Sequence, residues 1–157
     1  MNFKSMIALV VALVALDQGV KYLVETNLTF QTLVDVLPFL GLYRTWNEGV
    51  AFSLLWGLDD RALVIGTSLI VLFVGWLAYR TNPTNWLARL GFTLIIGGAI
   101  GNLIDRVMLG HVVDYVLFHT PVWSFAVFNL ADAFISIGAA LIVLEEFLSW
   151  WSGETKA

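Results

Sequence analysis

The stretch ALVIGTSLIVLFVGWLAY, residues 62–79, decides the fold class, because it carries no charge and is long enough to cross a lipid bilayer as a helix. Three further stretches of this kind occupy residues 6–24, 87–104 and 129–148, with charged residues only towards their ends. Over the 157 residues of the chain, 59% are hydrophobic and 13% are charged, which is unlike a soluble domain. The sequence therefore predicts an all-α polytopic membrane protein with four transmembrane helices.

Two longer segments, residues 25–61 and 107–128, connect these spans and predict a small β-sheet. Apolar and polar residues alternate, as half-buried strands require, over Thr29–Val36, Leu42–Trp46, Val112–Phe118 and Trp123–Phe128. The stretch GVAFSLLWG, residues 49–57, is too short to span and is rich in aromatic residues, which favours a position at the membrane interface. We expect one integral membrane domain over residues 1–157.

The lysines and arginines near the helix ends indicate how the chain is oriented. Four spans put both termini on one side of the membrane, and positive residues are commoner on the cytoplasmic side. The side of the termini carries Lys4, Arg80, Arg89 and Lys156, and the other side carries Arg44, Arg61 and Arg106. We therefore expect cytoplasmic termini, with both long loops on the outer face.

Two aspartates, Asp114 in GHVVDY and Asp132 in FNLADA, lie at the edge of this apolar sequence. A carboxylate in or beside a bilayer is costly, so it marks a functional site by default. Other polar residues are spaced i, i+3 or i+4 and so share one helix face, namely Asp17 with Lys21, Asn102 with Asp105 and Arg106, and Asn129 with Asp132. On the predicted topology these side chains converge near the outer leaflet, where they would surround Asp114.

A pair of neighbouring carboxylates can cleave a peptide bond. If Asp114 and Asp132 meet, they cannot both ionise easily, so the pair can share one proton. The ionised member can then activate a water while the protonated member hydrogen-bonds the scissile carbonyl. This scheme needs neither a metal nor a cofactor, and we expect none.

Other sets of catalytic residues are poorly represented in the sequence. The chain has no cysteine, no HExxH and no G-x-S-x-G motif, and His111 and His119 lack a third clustered ligand for zinc. No basic patch suits a nucleic acid. The carboxylate pair is therefore favoured by elimination as well as by position.

Five blocks of sequence closely resemble, in order and spacing, the signature blocks of the lipoprotein signal peptidase family, also called signal peptidase II. They are DQGVK (Asp17–Lys21), NEGVAF (Asn47–Phe52), GGAIGNLIDR (Gly97–Arg106), GHVVDY (Gly110–Tyr115) and FNLAD (Phe128–Asp132). The resemblance implies an aspartyl endopeptidase of the bacterial inner membrane. Its substrates would be prolipoproteins with a diacylglyceryl-modified cysteine, cut just before that cysteine. It also implies a surface sheet called a cradle and a short interfacial helix, within Thr29–Trp56.

The same resemblance implies roles for individual residues. The catalytic pair corresponds to Asp114 and Asp132. The polar residues that support the site or hold the substrate correspond to Asp17, Asn47, Asn102, Arg106 and Asn129. We include Lys21, Gly98 and Asp105 among the supporting residues, and expect Asp105 to pair with Arg106 or with another site residue. We expect a monomer whose partners are these substrates and the membrane lipids.

Several of these features also have structural interpretations. Asp132 suits the first turn of a helix, where the dipole favours an acid, and Asp17 with Lys21 is a common i, i+4 pair. Asn47 suits a turn, and Gly97 with Gly101 suits close helix packing. Two other classes of protein stay open on these grounds: a transporter with an acidic relay, and a non-enzymatic assembly subunit. An intramembrane protease of the presenilin type is disfavoured because its GxGD signature is absent.

Overall fold

Four long helices dominate the computed structural model, which describes residues 1–49 and 60–153. They are α1 (Phe3–Asn27), α2 (Asp60–Arg80), α3 (Trp86–Leu109) and α4 (Leu130–Ser152). All four predicted helices are present, and each extends beyond its predicted C-terminal end. The interfacial segment expected at residues 49–57 lies, from residue 50 onward, outside the described residues.

The end of α3 shows why the predicted boundaries were too short. We expected this span to end at residue 104, where the apolar stretch ends, but helical hydrogen bonding continues to Leu109. Gly110 then ends the helix in a left-handed conformation with φ of 79°, which a glycine adopts without strain. Asp105 and Arg106 lie in the last turns of α3, as their helical spacing from Asn102 predicted.

Three of these helices are long and apolar enough to cross a membrane, over Phe3–Asn27, Arg61–Arg80 and Trp86–Leu109. The helix α4 has 23 residues and carries Asp132, Glu145 and Glu146, and its membrane crossing stays a prediction. Exposed aromatic residues gather at the end of the bundle that holds the chain's N-terminus, as expected at a membrane interface, namely Phe3, Trp76, Tyr79, Trp86, Trp150 and Trp151.

The helix α3 is central, because it packs against α1, α2 and α4. Two of its glycines, Gly97 and Gly101, lie against Leu13 and Asp17 of α1, which confirms that they form a packing face. Gly98 lies against α4, where a Cβ would overlap the Ala131 carbonyl. Gly98 therefore acts by letting the first turn of α4 approach α3, and not through a polar contact.

The predicted sheet is present as four antiparallel strands in the order β1-β2-β3-β4. They are β1 (Leu33–Leu37), β2 (Leu40–Asn47), β3 (Val112–Thr120) and β4 (Trp123–Ser124). Two predicted strands were too long. Residues 28–32 connect α1 to β1, with Gln31 at a φ of 55°. Only a single bridge at Phe128 continues the pairing of β4, because the chain turns there towards the start of α4.

The sheet packs on the C-terminal end of α1. Val113 and Tyr115 of β3 form a buried apolar cluster with Val24 of α1. From β2, the Arg44 guanidinium donates to the carbonyls of Glu25, at 2.9 Å, and Leu28, at 3.2 Å, and so closes the end of that helix. This packing holds β3 beside the ends of α1 and α3 and the start of α4, which we call the sheet end of the bundle.

The close crossing of α3 and α4 predicts the effect of adding one methyl group. A Cβ on Gly138 would lie 2.5 Å from the Gly91 carbonyl oxygen and 2.8 Å from Cγ1 of Ile95. We expect Gly138→Ala to lower the free energy of unfolding by about 1–3 kcal/mol, because backbone atoms must move apart. Unfolding by SDS titration in mixed micelles measures this loss.

The matched control is Gly75→Ala in α2, where, among residues 1–49 and 60–153, no atom beyond the neighbouring backbone of α2 itself lies within 4 Å of the added Cβ. Alanine is the better helix former, so this variant should be neutral or slightly more stable. Equal stability of the two variants would contradict the close crossing.

Candidate active site

The ammonium group of Lys21 is the centre of a buried polar cluster at the sheet end. Its Nζ atom lies 2.8 Å from Asp17 Oδ2 and 2.8 Å from Asp105 Oδ2. It also donates to Oδ1 of Asn102 at 2.9 Å. An ammonium group has three donors, so all three are engaged. Asp105 therefore pairs with Lys21, another site residue, and not with its neighbour Arg106.

The two aspartates bound to Lys21 extend the cluster to the other elements. Oδ1 of Asp17 accepts the backbone N–H of Ala131 in α4 at 3.1 Å. Oδ2 of Asp105 accepts the backbone N–H of Val113 in β3 at 3.2 Å. One buried cation thus connects α1, α3, α4 and β3.

Gln18 belongs to this cluster, although we did not predict it. Its Nε2 atom donates to Asp105 Oδ1 at 2.8 Å and to the Gly101 carbonyl at 3.2 Å. The spacing i, i+3 from Lys21 could have placed it on the same helix face. Asn47, Asn102 and Asn129 were predicted as site residues, whereas Gln18, within the DQGVK block, was not.

The start of α4 is unusually well satisfied, because each of its first four N–H groups has a partner. Ala131 donates to Asp17, as described above, and Leu130 donates to the Tyr115 hydroxyl at 3.1 Å. Asp132 donates to Oδ1 of Asn129 at 2.9 Å, and the N-cap residue Asn129 donates its own backbone N–H to Oδ2 of Asp132 at 3.2 Å. Such groups are otherwise left without partners at a helix N-terminus. This end of α4 is therefore fixed by α1, β3 and its own N-cap.

Asp132 receives two hydrogen bonds at this helix start. Its Oδ2 atom accepts the backbone N–H of Asn129 at 3.2 Å, which completes a capping box. Its Oδ1 atom accepts the side-chain amide of Asn102 at 2.8 Å. The structural interpretation of Asp132 as a helix-capping acid is thus correct, and the same residue also joins the polar cluster.

Asp114 is buried on β3 and accepts two side-chain amides. Nδ2 of Asn129 donates to its Oδ1 atom at 2.6 Å, and Nδ2 of Asn47 donates to its Oδ2 atom at 2.9 Å. Oδ1 of Asn47 also accepts the Gly49 N–H at 3.0 Å, so its turn role and its contact with Asp114 coexist. Because Asn129 donates to both Asp114 and Asp132, the two predicted acids lie on opposite sides of one asparagine.

Burial raises the pKa of Asp114 to about 6, and the negative charge of Asp132 adds to the rise, although the amide of Asn47 opposes it. Burial likewise raises the pKa of Tyr115 to about 12, so its hydroxyl stays protonated at neutral pH. Tyr115 was not predicted as a site residue, because it points to the opposite face of β3 from Asp114. Its position next to Asp114 in the sequence did not indicate that its hydroxyl contacts α4.

Arg106 is the predicted site residue that does not join this cluster. Its side chain is half-buried and makes no hydrogen bond or ion pair with residues 1–49 or 60–153, and its Nε atom is buried without a partner. Within the same ranges, no group of three or more His, Cys, Asp and Glu side chains is arranged to hold a metal ion. His111 stacks on Trp46, and His119 approaches Asp35.

Fold and site together define a class: a helical membrane protein with buried, amide-held carboxylates where its helices meet a small sheet. The sequence profile of the family described as signal peptidase (SPase) II matches residues 9–148. The lipoprotein signal peptidase of Mesorhizobium japonicum is 61% identical over 142 residues, which cover 90% of this chain and 84% of that protein. The lipoprotein signal peptidase of Brucella ovis is 59% identical over 146 residues, covering 93% and 91%.

Solved structures agree with these relatives. A bacterial membrane enzyme determined by the in meso method at 2.3 Å resolution superimposes with a TM-score of 0.86, at 28% identity over 99% of this chain and 94% of that one. A second, at 1.9 Å resolution, gives a TM-score of 0.81, at 30% identity over 90% and 92%. The chain therefore belongs to the signal peptidase II family. It is a bacterial membrane protein and a protease.

Removing the central cation tests the polar cluster. Lys21→Met would leave Asp17 and Asp105 buried without their counter-charge, and we expect the free energy of unfolding to fall by about 3–5 kcal/mol. Lys4→Met, at an exposed position of the same helix, is the control and should change stability by less than about 0.5 kcal/mol. Similar losses for both variants in SDS titrations would contradict the central role of Lys21.

The raised pKa of Asp114 predicts a pH-dependent contribution to stability. The unfolded chain releases this proton near pH 3.8 and the folded protein near pH 6. Protonated Asp114 therefore stabilises the fold below pH 3.8, and this contribution is lost as pH rises through 6. Relative to Asp114→Asn, the wild type should lose on the order of 3 kcal/mol between pH 4 and pH 7.

The control for this pH dependence is Glu48→Gln, at an exposed carboxylate directly after β2. Wild type and Glu48→Gln should show the same pH dependence over this range. A stability difference between wild type and Asp114→Asn that does not change with pH would show that Asp114 titrates normally.

Proposed function

We propose that this chain is an aspartyl endopeptidase that removes signal peptides from diacylglyceryl-modified prolipoproteins, cutting just before the lipidated cysteine. The names of its relatives support the substrate class. The observation that carries the catalytic assignment is the position of Asn129, which donates its side-chain N–H to Asp114 and its backbone N–H to Asp132. One residue thus contacts both acids, Asp114 through its side chain and Asp132 through its backbone.

The two acids have different surroundings, and this supports different roles. Asp132 lies in the first turn of α4, where the helix dipole favours negative charge. The raised pKa of Asp114 favours its protonated form. We assign Asp132 as the general base and Asp114 as the acid that hydrogen-bonds the scissile carbonyl.

The reaction on this assignment begins with water placed between the two acids. Asp132 takes a proton from the water, the water oxygen bonds to the carbonyl carbon, and Asp114 gives its proton to the carbonyl oxygen. The carbon–nitrogen bond of the resulting tetrahedral intermediate then breaks. Asp132 returns its proton to the leaving amine of the lipidated cysteine, and a hydroxyl of the intermediate returns a proton to Asp114. Both acids finish in their starting states, and the new carboxyl group leaves with the signal peptide.

The remaining site residues support this chemistry in different ways. Asn47, Asn102 and Asn129 donate to the acids, while Asp17, Lys21 and Asp105 fix the elements that carry them. Gly98 allows α4 to approach α3. Arg106, which has no partner among the described residues, is left to contact the peptide or the glyceryl ester of the substrate.

The membrane arrangement follows from the same proposal. The helix α4 would be the fourth span, both termini would be cytoplasmic, and the sheet end would face outward from the bacterial inner membrane. A substrate whose acyl chains stay in the outer leaflet then presents its cleavage site at the depth of Asp114 and Asp132. The protein would act on it as a monomer and without a cofactor.

The acid positions count against the transporter alternative. A proton relay requires ionisable groups spaced through the bilayer. Here Asp17, Asp105 and Asp132 belong to one hydrogen-bonded cluster around Lys21 and Asn102. This grouping supports a single reaction site.

Cleavage of a diacylglyceryl-modified prolipoprotein by the purified protein tests the proposal. We expect a product that begins at the lipidated cysteine, identified by mass spectrometry. Asp114→Asn and Asp132→Asn should each lower the rate by at least about a thousandfold, because the base or the acid is lost. Asp35→Asn changes an exposed aspartate of the same sheet and should cleave at the wild-type rate.

Three outcomes would contradict different parts of this proposal. An intact substrate after incubation with folded wild type would reject the substrate assignment. Persistent cleavage by both folded Asn variants would keep the activity but reject the two acids. Cleavage of the unlipidated precursor at an equal rate would reject recognition of the diacylglyceryl group.

A further inference from the structure

The end of the sheet far from Asn47 and Val112 is formed by two turns that lie side by side. Pro38 and Phe39 connect β1 to β2, and Pro121 and Val122 connect β3 to β4. The turns are neighbours because the His119 N–H donates to the Phe39 carbonyl at 3.1 Å. We call this region the sheet tip and define it by Phe39, Val122, Trp123 and Phe125.

The sheet tip exposes large apolar side chains and carries no full charge. The exposed fractions are 94% for Val122, 58% for Trp123, 54% for Phe39 and 52% for Phe125. Residues 36–43 and 115–131 contain no Asp, Glu, Lys or Arg. Turns that face water are normally polar, so this surface requires an apolar partner.

Two observations favour lipid over a folded protein as that partner. First, the two residues of β1 that lie on the tip side of Asp35, Val36 and Leu37, are apolar and exposed. Apolar side chains are therefore exposed along the edge of the tip as well as in its two turns. A folded partner covers one side of such a tip, whereas lipid surrounds it. Second, the apolar surface continues from Phe125 through Phe128, whose rings are 6.4 Å apart, to the start of α4.

A polar pair limits this surface on the side towards the helices. Nε2 of His119 lies 2.9 Å from Oδ1 of Asp35, although the two atoms are not aligned for a hydrogen bond. The two side chains meet across Gly41 of β2, the strand between β1 and β3. Tryptophan, phenylalanine and proline beyond such a polar boundary are typical of segments that enter the interfacial region of a bilayer.

We propose that the sheet tip inserts into the lipid leaflet at the sheet end of the bundle and anchors β3 to it. The strand β3 runs without interruption from Val112 to Thr120, so an anchor at its far end also fixes Asp114 relative to the lipid surface. This consequence for Asp114 rests on the proposed function, whereas insertion of the tip does not.

The absence of cysteine from the sequence allows the depth of single positions to be measured. Val122→Cys, labelled with a small environment-sensitive fluorophore, is placed in phosphatidylcholine nanodiscs that contain lipids with a shallow or a deep nitroxide quencher. Leu72→Cys, on the exposed face of α2, gives the deep reference, and Asn82→Cys, in the exposed turn before α3, gives the aqueous reference.

We expect the label at position 122 to be quenched most by the shallow nitroxide and to be about tenfold less accessible to iodide than the label at position 82. Quenching by iodide as strong as at position 82 would overturn the proposal. Protection from iodide without quenching by either lipid would also overturn it, because the tip would then be covered by protein.

A second variant separates anchoring from catalysis. Val122→Lys/Trp123→Lys places two charges on exposed side chains, so stability in detergent should be unchanged. Cleavage of a bilayer-embedded lipidated substrate should fall by about tenfold or more, with wild-type cleavage retained in detergent micelles. An unchanged rate in bilayers would overturn the anchoring of Asp114. If wild type cleaves the substrate in neither medium, the proposed function is rejected. Insertion of the sheet tip is then tested by the depth measurement alone.

Discussion

The buried ammonium of Lys21 is the interaction on which the site depends. Its three donors reach Asp17, Asp105 and Asn102, and these groups in turn contact α4 and β3. A buried charge is tolerated only when it is fully paired, and this requirement fixes α1 against α3. Because Asp17 accepts from α4 and Asp105 accepts from β3, the elements that carry Asp132 and Asp114 are positioned by the same cation.

Lys21 also determines the direction of hydrogen bonds beyond its own contacts. An ammonium group only donates, so the amide oxygen of Asn102 must face it and the amide nitrogen must face Asp132. Asn129 is oriented similarly, because its oxygen accepts the Asp132 N–H and its nitrogen therefore turns to Asp114. Each amide thus presents N–H to a carboxylate. Burial and the negative charge of Asp132 raise the pKa of Asp114 to about 6, although the amide donors oppose the rise.

Hydropathy and helix spacing predicted the four helices and the contact between Asp17 and Lys21, because these depend on local sequence. Contacts between different elements were harder to predict from the sequence. Tyr115 reaches α4 from the opposite face of β3 to Asp114, and Gln18 contacts Gly101 and Asp105, which lie 83 and 87 positions later in the sequence. The length of α3 depended on where Gly110 allows the chain to reverse, and hydropathy does not report this. The partner of Asp105 depended on how α1 packs against α3.

The two interpretations of Asp132, as a capping residue and as a site residue, are both required by its position. A capping box fixes the carboxylate at the third position of the helix, where its rotation is restricted and the dipole favours negative charge. A general base needs the same restriction and the same charge. On the proposed function, Asp132 therefore obtains the geometry of a general base from interactions that also begin α4. A helix start built from Asp17, Tyr115 and Asn129 holds Asp132 in one orientation, and so folding of this segment and assembly of the site are one event.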